Sequence, residues 1–223
     1  MSGRLVVISG TGTNIGKTHF AEALLQALGT RVPRAAGIKP IESGVTDPTV
    51  SDAARLERAS TFHVKRFGYA LRAGLSPHIA ARMEGVSLDM AAVVHGIGMA
   101  RKDCDVLVVE LPGGLFTPLS GRETNADLAR AMQPDEILLV VPNRLGALHD
   151  TLAALRAAGA ASLQVHGIII VAPESPDAST ESNAHELRTL VGTPSVVEVG
   201  RGSVETLATT EPVMALARRV AGR

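Results

Sequence analysis

A glycine-rich stretch near the amino terminus holds the residues best suited to chemistry. It reads SGTGTNIGKT over positions 9–18 and follows an apolar run. Glycines allow successive backbone N–H groups to turn inward toward a phosphate, and Lys17 adds a positive charge for the β- and γ-phosphates. Thr18 supplies a hydroxyl of the kind that binds Mg²⁺. The stretch predicts a phosphate-binding loop between a strand and a helix.

The loop departs from the usual G-x₄-G-K-[ST] spacing. Five residues separate Gly10 from Gly16, and Thr11 stands where the first glycine is expected. A glycine-rich turn that binds nothing is the alternative, but the apolar run before the loop and the Gly-Lys-Thr start of a helix favour a nucleotide site. The loop residues predicted to contact the nucleotide are Gly12, Thr13, Asn14, Ile15, Gly16, Lys17 and Thr18.

Three charged residues stand where later elements of the chain begin or end. Lys39 and Glu110 each follow a short apolar run, and Asp52 opens a predicted helix. In isolation Lys39 would be a solvated surface charge and Asp52 a helix cap. Hydroxyls and carboxylates are ligands of Mg²⁺, so Thr18 and Glu110 are candidates for a metal site, with Lys39 as a second cation facing the phosphates.

The elements that position these residues are visible as short β-branched runs alternating with helix-spaced apolar patterns. The predicted strands cover residues 5–8, 35–38, 106–109, 137–141, 168–171 and 196–199. Near-continuous apolar strands joined through helices predict an α/β protein with the three-layer P-loop NTPase fold. In it, helices cover both faces of a mostly parallel sheet. Ligands of such sheets gather beyond the carboxyl ends of the strands, where the candidate residues fall.

The length of 223 residues predicts one domain, 1–223, without an internal linker. Residues 61–84 are less regular, and we expect them to be an insertion over the nucleotide end, with a helix starting at Pro77. Residues 172–180 are rich in Pro, Ser, Asp and Glu and predict an exposed loop.

Composition argues against several classes of function. Lys and Arg number 22 and so do Asp and Glu, so the neutral chain has no field that attracts nucleic acid. Aromatic residues make up only 2%, too few for a base-stacking platform. The single cysteine, Cys104, cannot form an internal disulfide, and no apolar run is long enough to span a membrane. We expect a cytoplasmic protein without nucleic-acid or membrane partners.

Five short motifs stand in order between residue 5 and about residue 155. They are the loop ending in Gly16-Lys17-Thr18, Lys39-Pro40 with Ser43-Gly44, Ser76-Pro77-His78, Glu110 with Gly113-Gly114, and residues 116–120, FTPLS. Together they resemble the dethiobiotin synthetase family. The second and fifth motifs are far more selective than the phosphate loop, and chance agreement of all five is implausible.

The resemblance implies a homodimeric ligase that uses Mg²⁺ and ATP to join CO₂ to 7,8-diaminopelargonate, the penultimate step of biotin synthesis. It implies that the carbamate formed from the substrate amine and CO₂ is held by Lys39, Thr13, Lys17 and Ser43. The γ-phosphoryl group then passes to the carbamate, and the neighbouring amine closes the ring and expels phosphate. The resemblance also implies that Glu110 and Gly113 join the loop at the nucleotide and that Thr18, Asp52 and Glu110 hold Mg²⁺. It further implies that residues 143–148 of the neighbouring subunit bind the substrate carboxylate.

The resemblance fails where the nucleotide base would lie. Family members commonly carry Asn-Asp after the fifth strand to read adenine, whereas this chain has IVAP over 170–173. An Ile-Pro turn that usually closes over the base is replaced by VEVGRG over 197–202. Each lost hydrogen bond is worth about 1 kcal/mol, so the sequence predicts that nucleoside triphosphates other than ATP are also accepted. Pro112 also lacks the N–H that the usual residue has.

Two rival interpretations come from other functional classes. A partitioning or maturation ATPase of the same wider fold usually carries a second lysine inside the loop, and residues 11–15 contain none. A non-catalytic nucleotide-binding paralogue would explain the altered base pocket. The presence of Lys17, Lys39, Ser43 and Glu110 argues for an enzyme instead.

Overall fold

The computed structural model describes residues 2–222, which form eight strands and nine helices. The strands are β1 (Arg4–Gly10), β2 (Ala35–Ile38), β3 (Ile41–Ser43), β4 (Tyr69–Leu71), β5 (Val106–Glu110), β6 (Glu136–Pro142), β7 (Gly167–Val171) and β8 (Ser195–Val199). The helices are α1 (Lys17–Gly29), α2 (Asp52–Ala59), α3 (Pro77–Met83), α4 (Met90–Asp103), α5 (Asn125–Met132), α6 (Ala147–Ala160), α7 (Asn183–Val191), α8 (Val204–Ala208) and α9 (Glu211–Ala221). No helix among these residues is long and apolar enough to cross a membrane.

Six strands form one parallel sheet in the order β2-β5-β1-β6-β7-β8. Each of them contains one of the six predicted strands, so the prediction of a parallel sheet is confirmed. Because β2, β5 and β1 are neighbours, their carboxyl ends lie side by side at one edge of the sheet. Lys39, Glu110 and the phosphate loop each follow one of these three ends.

Helices cover both faces of this sheet, as predicted for a three-layer α/β fold. Side chains of β1 alternate between two buried cores, as the period of two in a strand requires. Leu5 and Val7 pack in the core that contains α4 and α5. Val6 and Ile8 point to the opposite face, where they share a core with α1 and α9. The strand is therefore buried from both sides and holds the phosphate loop on a rigid support.

A second, two-stranded parallel sheet pairs β3 with β4 and was not predicted. Each strand has only three residues, too few to show a hydrophobic period. The pairing attaches part of the 61–84 segment directly to the strand that ends at Ser43. Helix α3 begins at Pro77, as predicted. That 61–84 is an insertion in a single domain stays a prediction.

Candidate active site

The phosphate loop occupies the turn between Gly10, the last residue of β1, and Lys17, the first residue of α1. Two residues of this turn adopt the left-handed conformation, Asn14 with φ 56° and Gly16 with φ 91°. A β-carbon at Gly16 would also lie 3.3 Å from a methyl group of Val171, so the position suits only glycine. The predicted strand, loop and helix are all present in this order.

Lys17 and Thr18 are buried in the first turn of α1. Lys17 Nζ donates to the Gly12 carbonyl at 2.6 Å, folding back across its own loop. Thr18 Oγ1 donates to Glu110 Oε1 at 3.0 Å. Burial lowers the pKa of Lys17 to about 8, against the opposing effect of the Glu110 charge. From consecutive positions, the Lys17 side chain therefore reaches the phosphate loop and the Thr18 side chain reaches the carboxylate at the end of β5.

Lys39 lies between two carboxylates. Its Nζ is 2.6 Å from Asp52 Oδ2 and 2.7 Å from Glu110 Oε1, and the exposed fractions of the Lys39 and Glu110 side chains are 8% and 1%. Burial opposes the charged form of Lys39, but Glu110 and Asp52 outweigh it and raise the pKa of Lys39. Burial likewise opposes the Asp52 charge, but Lys39 and a Thr18 hydrogen bond bring the pKa of Asp52 below its usual value. Lys39 is a buried ion-pair residue rather than a solvated surface charge.

The loop after Glu110 packs tightly against the phosphate loop. A β-carbon on Gly114 would lie 3.2 Å from the Gly10 carbonyl oxygen, so this close approach requires glycine. The Asn125 side-chain amide donates to the carbonyls of Pro112 and Gly114, at 2.5 and 2.8 Å. Asn125 therefore holds the loop that brings Gly113 to the site. Sequence reasoning missed it, because its partners lie 11 and 13 residues earlier.

These residues surround one cleft with a volume of about 800 Å³. The predicted residues that line it are Thr13, Asn14, Ile15, Gly16, Lys17, Thr18, Lys39, Ser43, Asp52, Glu110 and Gly113. Gly12 contributes the carbonyl that binds Lys17. The structure brings the candidate residues together, and their individual roles stay predictions. Residues 74–77 complete the lining on the side of the 61–84 segment.

Glu42 is a second residue that sequence reasoning missed. Its buried carboxylate accepts the backbone N–H groups of Asp52 at 2.7 Å and Ala53 at 3.0 Å. A carboxylate at the first turn of a helix satisfies free donors and complements the helix dipole. Because Glu42 lies in β3 beside Ser43, it joins the strand that carries Ser43 to the helix that carries Asp52. Only the fold reveals this contact, since the helix is 10 residues away.

Arg55 adds a third cation to the lining of the cleft. It donates to both carboxylate oxygens of Glu22 on α1, at 3.2 and 2.5 Å, and lies 3.5 Å from Asp52 Oδ1. The bidentate pair fixes α2 against α1 and thereby orients Asp52. Sequence reasoning missed Arg55 because, read alone, it is one charge among several in a helix of strongly polar composition.

The segments after β7 and β8, where the resemblance expects the nucleotide base, have a different character, and residues 172–178 and 200–202 do not line the cleft. We call these segments the base end. Strand β7 is followed by Ala172 and Pro173, which offer no side-chain amide to a base. Residues 174–178 are exposed, as predicted for this loop. A ring nitrogen of His19 lies 2.9 Å from the Gly202 carbonyl oxygen, which joins α1 to the loop after β8. Among the residues that line the cleft within the described range 2–222, His19 is the one that forms a hydrogen bond with the loop after β8.

The chain is similar to known proteins along most of its length. The family model described as AAA domain matches residues 4–213. The protein from Rhodopirellula baltica named ATP-dependent dethiobiotin synthetase BioD is 33% identical over 221 residues, covering 89% of this chain and 85% of that protein. The protein of the same name from Anaeromyxobacter dehalogenans is 37% identical over 193 residues, covering 84% and 85%.

The chain belongs to the AAA domain family and to the dethiobiotin synthetases. Among solved structures, the MinC:MinD cell division complex of Aquifex aeolicus superposes on this synthetase-family chain with a TM-score of 0.64, covering 99% of this chain and 96% of that one at 12% identity. A ParA family ATPase from Chlorobium tepidum superposes with a TM-score of 0.59 at 12% identity, and both chains are fully covered. These likenesses show the P-loop NTPase fold alone, whereas the family follows from the sequence relatives.

Proposed function

We propose that this chain is an ATP-dependent cyclo-ligase that carboxylates 7,8-diaminopelargonate with CO₂ and closes the product to dethiobiotin, releasing ADP and phosphate. The observation that carries the proposal is the convergence of Lys17 and Lys39 on one cleft with Thr18, Asp52 and Glu110. The resemblance to dethiobiotin synthetases implies such a set, and the relatives of this chain carry that name.

The substrate end of the cleft is assigned to the carbamate. In this assignment Lys39, Ser43 and Thr13 bind the carbamate oxygens, and Lys17 lies between the carbamate and the γ-phosphate. The carbamate oxygen attacks the γ-phosphorus, ADP leaves, and the second amine attacks the mixed anhydride carbon and displaces phosphate. Positioning and neutralisation of charge supply most of the acceleration in phosphoryl transfer, so no protein nucleophile is required.

The carboxylates at the end of β5 and the start of α2 suit a Mg²⁺ ion. Glu110 Oε2 is buried and has no hydrogen-bond partner within residues 2–222, so the carboxylate retains an unused acceptor. Thr18 and Asp52 contribute the other oxygens of the hard, oxygen-rich set that Mg²⁺ prefers. A bound ion there would neutralise charge on the β- and γ-phosphates.

We place the substrate carboxylate at residues 143–148 of a second subunit, in a homodimer. Helix α6 begins at Ala147, after Gly146 in the left-handed conformation, and free N–H groups at such a start favour an anion. Leu75, Phe116 and Leu145 are 45%, 38% and 76% exposed, and apolar side chains of this size at a surface suit an interface. A cytoplasmic location accords with Cys104, a buried free thiol.

The decisive experiment supplies diaminopelargonate, bicarbonate, Mg²⁺ and ATP and follows dethiobiotin by mass together with phosphate release. We expect both products from the wild type and from Lys102→Ala, which removes an exposed lysine of α4, and neither from Lys17→Ala. Phosphate release that does not depend on diaminopelargonate would favour the partitioning or maturation ATPase. Nucleotide binding without either product would favour the non-catalytic paralogue.

A further inference from the structure

Lys39 lies where a divalent cation would contact the two carboxylates of the site. Its ammonium donates to Asp52 Oδ2 and Glu110 Oε1 at 2.6 and 2.7 Å. Thr18 Oγ1 donates to the same Glu110 oxygen at 3.0 Å. The three residues proposed to hold Mg²⁺ therefore already converge on one point, and the charge between the two carboxylates is the lysine ammonium.

An ammonium and Mg²⁺ cannot use the same oxygens at once. Mg²⁺ needs near-octahedral oxygen ligands at about 2.0–2.1 Å, and the lone pairs of Glu110 Oε1 are already accepting from Lys39 and Thr18. The Lys39 and Glu110 side chains are only 8% and 1% exposed, so little solvent screens the repulsion between two neighbouring cations. Glu110 Oε2 has no hydrogen-bond partner within residues 2–222 and is open to a metal ion. An ion that also contacts Glu110 Oε1 or Asp52 Oδ2 displaces the Lys39 ammonium, and an ion at Oε2 alone is repelled by it.

The cleft has space for a second position of the Lys39 ammonium. Ser43 and Thr13 line the same space as Lys39, within a volume of about 800 Å³. Lys17, the other lysine of the cleft, binds the Gly12 carbonyl instead of the carboxylates. Lys39 is thus the lysine whose present partners are the proposed metal ligands, and two of its three donors are committed to them.

We propose that Lys39 is the internal cation of the Asp52–Glu110 pair and competes with the divalent metal for it, so that metal entry releases Lys39 toward Ser43 and the carbamate. This rests on the proposed function for the identity of the metal and of the substrate. Because coupling between two ligands is reciprocal, the metal strengthens substrate binding and the substrate strengthens metal binding. Free enzyme without metal therefore holds its carbamate lysine against the carboxylates, with two of its three donors committed.

The test measures the binding of Mn²⁺ in the absence of nucleotide. Binding is monitored as the loss of the free-ion signal in electron paramagnetic resonance. We expect Lys39→Met to bind Mn²⁺ about tenfold more tightly than the wild type, because the carboxylates lose their internal competitor. Lys17→Met removes a buried positive charge that acts on Glu110 through space and not through a hydrogen bond. We therefore expect a smaller gain, of about two- to threefold. In the double variant Lys39→Met/Glu110→Gln we expect the gain in Mn²⁺ affinity to be lost, which would show that the ion binds at Glu110.

A second measurement needs no variant. Amine acylation of the wild type, read by mass spectrometry, should label Lys39 several-fold faster when Mg²⁺ and a non-hydrolysable nucleotide are present, with Lys102 as the internal reference. Mn²⁺ affinity that is unchanged in Lys39→Met, an equal gain in Lys17→Met, or Lys39 labelling that Mg²⁺ does not alter overturns the proposal. These readouts do not involve turnover, so failure to make dethiobiotin would count against the proposed function alone.

Discussion

The phosphate end, within the cleft, and the base end, beyond it, are built differently. At the phosphate end, Lys17, Thr18, Lys39 and Glu110 are buried or nearly so. Short charge-assisted hydrogen bonds connect Glu110 to Lys39 and to Thr18, and Lys17 binds the Gly12 carbonyl. At the base end, Ala172 and Pro173 are half-buried, the following loop is exposed, and one His19 contact joins the loop after β8 to α1. Preorganised charge is concentrated where phosphates and carbamate are proposed to react.

The contrast teaches where specificity in this protein resides. Interactions in a buried, charged site are strong and their geometry is fixed before the ligand arrives. An exposed site with few polar contacts discriminates weakly, since water can replace each lost hydrogen bond. We therefore expect changes at the phosphate end to alter the chemistry strongly and changes of the base to matter little.

The largest effect should follow Lys39→Ala. We expect turnover to fall about a thousandfold, because a charge that stabilises the reacting carbamate is removed from a site with little water. Nucleotide affinity, measured by calorimetry, should stay within about threefold, since Lys17 serves the phosphates. Lys102→Ala is the control for loss of a lysine. Equal losses of turnover and of nucleotide affinity would show that Lys39 binds the nucleotide and not the carbamate.

The next effect concerns pH and tests the phosphate end alone. Burial lowers the pKa of Lys17 to about 8, with Lys39 acting in the same direction and Glu110 and Asp52 against it. A bound polyphosphate favours the charged lysine, so binding above pH 8 must take up a proton. We expect nucleotide affinity to be independent of pH below pH 8 and to fall by about tenfold for each pH unit above it. Calorimetry in buffers of different ionisation enthalpy measures the proton uptake, and its absence at pH 9 contradicts the assignment.

A smaller effect is expected for Glu42→Gln, which tests how the phosphate end is held together. The amide places an NH₂ donor where one of the two accepting oxygens stood, so one backbone N–H at the start of α2 loses its acceptor and Asp52 is held less firmly. Turnover should fall about tenfold, and the Mg²⁺ concentration for half-maximal rate should rise. Glu57→Gln, on the same helix and paired with Arg66, is the matched control. An unchanged Mg²⁺ requirement would limit Glu42 to a structural role.

The smallest effect should come from the base. We expect turnover with ATP, CTP and GTP to differ by less than about tenfold, because the base end offers few polar partners. Measured kcat/KM values for the three nucleotides decide this. A preference for ATP above about a hundredfold would show that the base end reads adenine in spite of its composition.

Much of this protein was predictable because its signals are local. Six strands, the phosphate loop and the helix starts at Lys17 and Pro77 each come from a pattern within a few residues. The small β3–β4 sheet and the roles of Glu42 and Asn125 were not predictable, since each depends on contacts across many residues of chain. Short strands and single capping side chains leave no periodic trace.

The sequence by itself determined the phosphate loop, the parallel α/β sheet and the identity of the charged residues at the strand ends. Only the tertiary structure decided that the Lys39 ammonium lies between Asp52 and Glu110, in contact with the proposed metal ligands. The reason is physical: a loop is specified by neighbours along the chain, whereas a buried ion pair depends on which strands are adjacent. The order β2-β5-β1 brought Lys39, Glu110 and the loop together.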